Sequence, residues 1–309
     1  MNQLAAGRSW NLNKELALAL IFGSILSLVL VQVSALPAKW FIFTLFSLAT
    51  FGIILIAQQR ERLLLYLAII SLPFALDFHL FYLKEQLALR AVSGFAISAF
   101  DVPFFFLVVA WFFKLALNPD LKVKFYPWLT IPLLSVWLIA LLSLRQAGTI
   151  PLVISFSVLF LIFKHWIIFL YLANNIRDRG LIFGVVGVIL VSGVMQSLLG
   201  LVQFATGSLL GAEIFGESAR SLFIMKAGLG TVSRVSGTMG HPNSLAQFLG
   251  QLLMINLALL LAPLPGRWRT ILFGSFIIMA AAFLATFSRG GWLGQSIGGL
   301  ITAWWCLAR

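Results

Sequence analysis

Charge is scarce in this chain. Only 10% of its 309 residues are Asp, Glu, Lys or Arg, nine of them acidic, and the mean hydropathy is +1.04. Soluble domains carry about 25% charged residues, so a water-soluble globular fold is excluded. Carboxylates are the rarest chemistry, with no Asp-x-Asp and no acidic cluster to hold a metal ion. Cysteine is represented by Cys306 alone, which excludes an intrachain disulfide framework and a thiolate metal cluster. Basic residues bring the net charge to +12, yet they stand in ones to threes between apolar runs. No basic patch is left for a phosphate backbone, and no nucleic-acid partner is expected.

What the chain has in abundance is long apolar runs. A membrane-crossing helix needs about 20 apolar residues at about 1.5 Å each. Ten runs qualify, near 16–36, 40–57, 63–82, 102–118, 126–144, 151–173, 181–205, 243–263, 269–287 and 290–307. The first is too long for the core of a signal peptide and reads as a retained helix. The expected fold is all-α, one polytopic transmembrane bundle over residues 1–309.

Lysine and arginine set the orientation. A cytoplasmic N-terminus puts Arg8, Lys14, Arg60, Arg62, Lys114, Lys122, Lys124, Arg177, Arg179, Arg267, Arg269 and Arg309 inside. Lys39, Lys84, Arg90, Arg145, Arg220, Lys226, Arg234 and Arg289 then lie outside, a bias toward the inner side as the positive-inside rule requires. It sharpens when the long segment 206–242 is set aside, and that segment becomes an extracytoplasmic loop.

The loop leads into "SRVSGTMGHPNSLAQF" (233–248), where a polar, glycine-containing corner opens an apolar helix. Gly237 and Gly240 permit positive φ and close ligand approach, and His241 or Asn243 is placed to cap the helix that Pro242 starts. Free N–H groups at such a corner, beside Arg234, form a natural anion site. A second outer arginine, Arg289, stands in "LATFSRGGWLG" and leads a ridge of Gly290, Gly294 and Gly298 on which another helix packs closely. Read locally, these features also suit a solvated connector and an arginine that snorkels to the membrane edge.

Together, Arg234 leading into "SGTMGHPN" and, one helical hairpin later, "TFSRGGWLG" resemble the O-antigen ligase and polysaccharide polymerase family of bacterial envelope enzymes. The resemblance covers 181–309 and is best over 230–309. It implies a glycosyltransferase of GT-C-like helical architecture in the inner membrane, acting at its outer face. The donor it implies is an undecaprenyl-diphosphate-linked glycan, and the acceptor a glycan, lipid or other hydroxyl compound reached among the membrane lipids. Arg234 and Arg289 are the implied catalytic residues, since guanidinium forks stabilise a diphosphate leaving group without metal. Gly237, His241, Asn243 and Lys164 are the implied substrate-binding residues. No cofactor and no metal are implied, which agrees with the scarcity of carboxylates. Family members continue through further helices and an outer loop with a histidine, so this chain is expected to be a fragment, a shortened gene product or a departure from the family. His241 beside Pro-Asn reads as a cap more than a base, and no general base is assigned.

Other polar residues fall within the runs. Asp77 and His79, two apart near the end of the third run, lie about 200° apart if helical and cannot share a face. Asp101 suits the dipole at the start of the fourth run. Lys164 and His165 sit at mid-span, where a charge is costly and faces the bundle interior, either pairing within it or lining a lipid-diphosphate cavity. A transporter, the label some relatives carry for bicarbonate, and an inactive scaffold are the alternative classes. Coupled transporters tend to hold a central carboxylate or broken helices, and all nine carboxylates here fall in loops or near span ends.

The orientation is tested by accessibility. With Cys306 replaced, a cysteine introduced by Ser218→Cys should label from outside and one introduced by Gly266→Cys should not; labelling at 266 alone reverses the topology.

Overall fold

The computed structural model describes residues 38–74, 76–80, 95–146, 152–211, 215, 223–227 and 230–308. The first expected span, all of 81–94 and much of the 206–242 loop lie outside the described residues. The chain divides into two units, residues 1–49 and 50–309. Of the first, the described part is the start of α1 (Ala38–Ile56), a continuous apolar helix that runs past the boundary.

The second unit is mostly helical. It contains α2 (Arg60–Ser71), α3 (Asp101–Leu117), α4 (Pro127–Ser143), α5 (Leu152–Asn175), α6 (Arg179–Thr206), α7 (Pro242–Leu261), α8 (Gly266–Ala285) and α9 (Arg289–Leu307). Five helices among the described residues, α1, α5, α6, α7 and α8, are long and apolar enough to cross a membrane. Their ends follow local chemistry. The Asp178 carboxylate accepts from Leu181 N at 2.9 Å to cap α6. Gly207, at φ 61°, ends the same helix.

One expected span is corrected. Residues 63–82 are not one helix, because α2 stops at Ser71 and residues 77–80 form strand β1 (Asp77–Leu80), paired antiparallel with β2 (Phe95–Ser98). Pro73 supplies the reason: Leu72 is still helical, at φ −51° and ψ −45°, and Pro73 after it has no N–H with which to continue the ladder. Asp77 and His79 therefore stand on a strand, and the helical angle between them does not apply. A second hairpin, β3 (Phe223–Ala227) with β4 (Gly230–Arg234), also falls where no strand was expected.

Two apolar clusters meet along α6. One joins Leu64 and Leu65 of α2, Leu107 and Trp111 of α3 and Tyr171 of α5. The other joins Leu190 of α6, Leu245, Leu249 and Leu252 of α7, and Met279 and Phe283 of α8. At Gly193 the helices approach so closely that a Cβ would stand 2.5 Å from Leu252 Cδ1 and 2.9 Å from the Met279 sulfur. The outer surface stays apolar, with Phe183, Leu300 and Trp304 among many exposed large side chains. That surface matches acyl chains as solvent.

The start of α3 meets α5 part-way along its length. Lys164 is 12 residues from the start of α5, about 18 Å along it. Its Nζ meets the Asp101 carboxylate at 3.0 Å, and both side chains are mostly buried, 17% and 16% exposed. Ser98 donates from its N–H and hydroxyl to the same carboxylate at 2.8 and 2.9 Å. The mid-span ammonium is thus paired inside the bundle.

Removing one partner of such a pair is costlier than removing both, since it strands a charge away from water. Asp101→Asn is expected to lower stability by about 3 kcal/mol, and adding Lys164→Met to restore most of it. Thermal unfolding in detergent measures this; equal losses in the single and double variants would remove the pair from the account.

Candidate functional site

The segment from β4 to α7 leaves regular structure at the top of the bundle. Val235, Ser236 and Thr238 are fully or almost fully buried, so their backbone needs partners from the protein. Two buried glutamines of α6 supply them. Gln203 accepts from Gly237 N at 3.0 Å and donates to Gly237 O at 3.2 Å. Gln196, seven residues earlier, accepts from Thr238 N at 3.1 Å and donates to the Thr238 hydroxyl at 2.8 Å. That hydroxyl in turn donates to Pro73 O at 2.7 Å, tying the loop to the break after α2. Gly237 has two reasons to be glycine: its φ is 57°, and a Cβ would lie 2.5 Å from Gln196 Oε1.

From this fixed loop the neighbouring polar residues are aimed. Arg234 donates from Nε to Thr286 O at 2.8 Å, at the C-terminus of α8, and from Nη2 to Asn243 Oδ1 at 2.9 Å, in the first turn of α7. A cation is favourable at a helix C-terminus, so half of the guanidinium is anchored structurally. His241 caps α7 with Nδ1, which accepts from Asn243 N at 3.1 Å. Between α8 and α9 the chain turns at Phe287, whose φ of 49° is unusual for a bulky residue. The turn lets Ser288 cap α9 and puts Arg289 at its first position.

Arg234, Asn243 and Arg289 line one cleft of about 610 Å³ between α7 and α9, with Gln247, Gln251 and Gln295. Arg234 is half-buried, and Arg289 and Asn243 are exposed within the cleft. Burial, and then the nearby Arg289 charge, lower the Arg234 guanidinium from its ordinary pKa. No described carboxylate pairs with either arginine. Arg289 moreover stands at the positive end of the α9 dipole, where a cation is unfavourable.

The structure thus brings together Arg234, Asn243 and Arg289. Gly237 is buried behind them as a loop-forming residue, and His241 is a cap outside the lining. Lys164 lines a different, phenylalanine-rich cavity of about 700 Å³ together with Asp101. Sequence reading overlooked Gln196 and Gln203, whose signal is the presence of two amides seven residues apart, hence on one face, in an otherwise apolar helix. Among the described residues, no group of three His, Cys, Asp or Glu side chains could hold a metal ion.

His241 offers a pH test. Burial, then the Arg234 charge, hold its pKa below the ordinary 6.5. As pH falls past that value the unfolded chain takes up a proton that the folded site refuses, so stability is present above it and declines below. Thermal midpoints should fall between pH 7 and 5 in the native chain, and the decline should be smaller in His241→Asn, which keeps a capping side chain. Identical pH profiles would contradict the neutral cap.

The chain matches no family model, no curated protein and no solved structure.

Proposed function

We propose that the cleft binds the diphosphate of a polyprenyl-linked glycan, undecaprenyl diphosphate in a bacterial inner membrane, and that the protein transfers or polymerises that glycan as the O-antigen ligase and polymerase family does. The observation that carries this reading is Arg289. A guanidinium without a described partner, at the positive end of a helix and beside a second guanidinium, is unfavourable until an anion fills the space between them. Two guanidinium forks suit a diphosphate better than a single carboxylate.

The chemistry follows from charge. An acceptor hydroxyl attacks the anomeric carbon and releases its proton to solvent, the bond from that carbon to the diphosphate oxygen breaks, and its electron pair leaves as negative charge on the diphosphate. Arg234, held by Thr286 and Asn243, and Arg289 on α9 stabilise that charge as preorganised donors. The N–H groups that open α9 add to the same field.

Sidedness agrees with a site at the outer face. Contacts of Lys114 with Glu61 and of Arg62 with Asp178 place the start of α2, the end of α3 and the start of α6 at one end of the bundle. Arg60, Lys122, Lys124, Arg177, Arg179, Arg267 and Arg269 fall at or next to helix ends on that side. By the positive-inside rule this end is cytoplasmic, and the cleft opens at the other.

Arg289→Lys should reduce transfer nearly as much as Arg289→Ala, by about 10²–10³-fold, because lysine keeps the charge and loses the fork. Turnover of purified lipid-linked donor measures it, with folding checked by thermal unfolding. Near-normal turnover in Arg234→Ala and Arg289→Ala would overturn the site; rescue by lysine would reduce it to a generic field.

A further inference from the structure

The end of the bundle opposite the cleft carries cations on a fixed frame. Residues 118–126, between α3 and α4, are held at both sides. Asn118 donates from its N–H and its amide to Lys114 O at 3.1 and 3.0 Å, closing α3. Asn174, in the last turn of α5, grips the Lys124 backbone as a strand partner would. Its Oδ1 accepts from Lys124 N at 2.9 Å, and its Nδ2 donates to Lys124 O at 3.1 Å. Arg177 donates to the same Oδ1 from Nη2 at 3.5 Å, so one amide sets the Lys124 backbone and the Arg177 guanidinium side by side. Val123 packs inward on the apolar cluster, while Lys122, Lys124 and Phe125 stay exposed. Charge here is unbalanced. Among the described residues no acid pairs with Lys122, Lys124, Arg177 or Arg179. Asp178 already bonds Arg62 and caps α6, and Glu61 bonds Lys114, which leaves Asp120 to offset the four. Next to the cations the surface turns apolar. Phe125 is 53% and Trp128 72% exposed, and Trp128, Ile131, Leu138 and Leu142 recur at helical spacing as one exposed face of α4.

We infer that this end of the bundle binds an anionic phospholipid. Lys124 and Arg177, with Lys122 and Arg179 around them, hold its phosphate; Phe125 and Trp128 stand at the ester level; the acyl chains lie along the apolar face of α4. The order of the protein surface is thus the order of the lipid, from cation through aromatic belt to hydrocarbon. Charge complementarity selects the headgroup, since basic groups at a helix end attract anionic lipid, and a zwitterionic one would bring a further cation to a site that has four. A free phosphate would leave the aromatic and apolar part of the surface unused. The pinned backbone separates this site from the other basic helix ends. Arg267, for comparison, lies over the ring of its neighbour Trp268 at 5.8 Å, with no facing loop held against it. The inference is independent of what the cleft at the other end binds.

The test is native mass spectrometry of the full chain in detergent, titrated with dioleoyl-phosphatidylglycerol, dioleoyl-phosphatidylcholine or the soluble headgroup glycerol 1-phosphate. The native chain should bind phosphatidylglycerol about tenfold more tightly than either of the others. The Lys124→Gln, Arg177→Gln double variant should lose that preference. Both side chains are exposed, so the fold is expected to stand, and thermal unfolding checks it. The Arg267→Gln, Arg269→Gln double variant removes as much charge elsewhere and should bind as the native chain does. Asn174→Ala keeps every charge and frees the loop, and should weaken phosphatidylglycerol severalfold. Equal affinity for the two lipids, or an equal loss in the two double variants, overturns the site and leaves only net charge. Glycerol 1-phosphate binding as tightly as phosphatidylglycerol makes it a phosphate site and overturns the lipid. Unchanged binding in a folded Asn174→Ala removes the pinned frame, and the inference with it.

Discussion

The hydrogen bonds from Gln203 to the Gly237 backbone and from Gln196 to the backbone N–H and hydroxyl of Thr238 are the constraint on which the site depends. Irregular backbone inside an apolar bundle is tolerated only when the protein satisfies it. Because both amides are fixed on the long α6, the loop has one place to lie, and Arg234 enters it and α7 leaves it at set positions. A leucine in place of either glutamine would leave buried peptide groups without partners, each at a cost of about 1–3 kcal/mol.

The two arginines of the cleft differ in what holds them. Arg234 is accounted for by structure: its Nε satisfies a carbonyl at the end of α8 and its Nη2 an amide of α7. Arg289 has the opposite relation to its helix, since it stands at the end where positive charge is disfavoured. The cleft thus holds one cation fixed in advance, Arg234, and one, Arg289, that no described group anchors. The buried Lys164–Asp101 pair solves a different problem, the neutralisation of a mid-span ammonium, and it does so in a separate cavity.

Much of the helical layout was legible as hydropathy. The runs expected from 40 onward coincide with helices to within a few residues, except 63–82, where Pro73 ended the helix and a strand pair followed. Mean apolarity over 63–82 does not distinguish one continuous helix from a short helix followed by an apolar strand, which is why that run misled. At the site, Arg234, Asn243 and Arg289 were readable because polar residues interrupt apolar sequence there. The glutamines were not, since a single amide in a long helix carries no local sign of which backbone it will meet.

The sequence by itself determined a bundle of apolar helices, most of their ends and the candidate arginines, because each depends on composition and spacing over a few turns. Only the tertiary structure decided that Arg234 and Arg289 share a cleft, that Lys164 belongs to Asp101 and not to that cleft, and that Gly237 serves the loop. Those outcomes depend on which helices lie side by side and on which buried amide meets which peptide group. Such contacts join residues tens to more than a hundred positions apart, as Thr238 meets Pro73, and no local pattern encodes them.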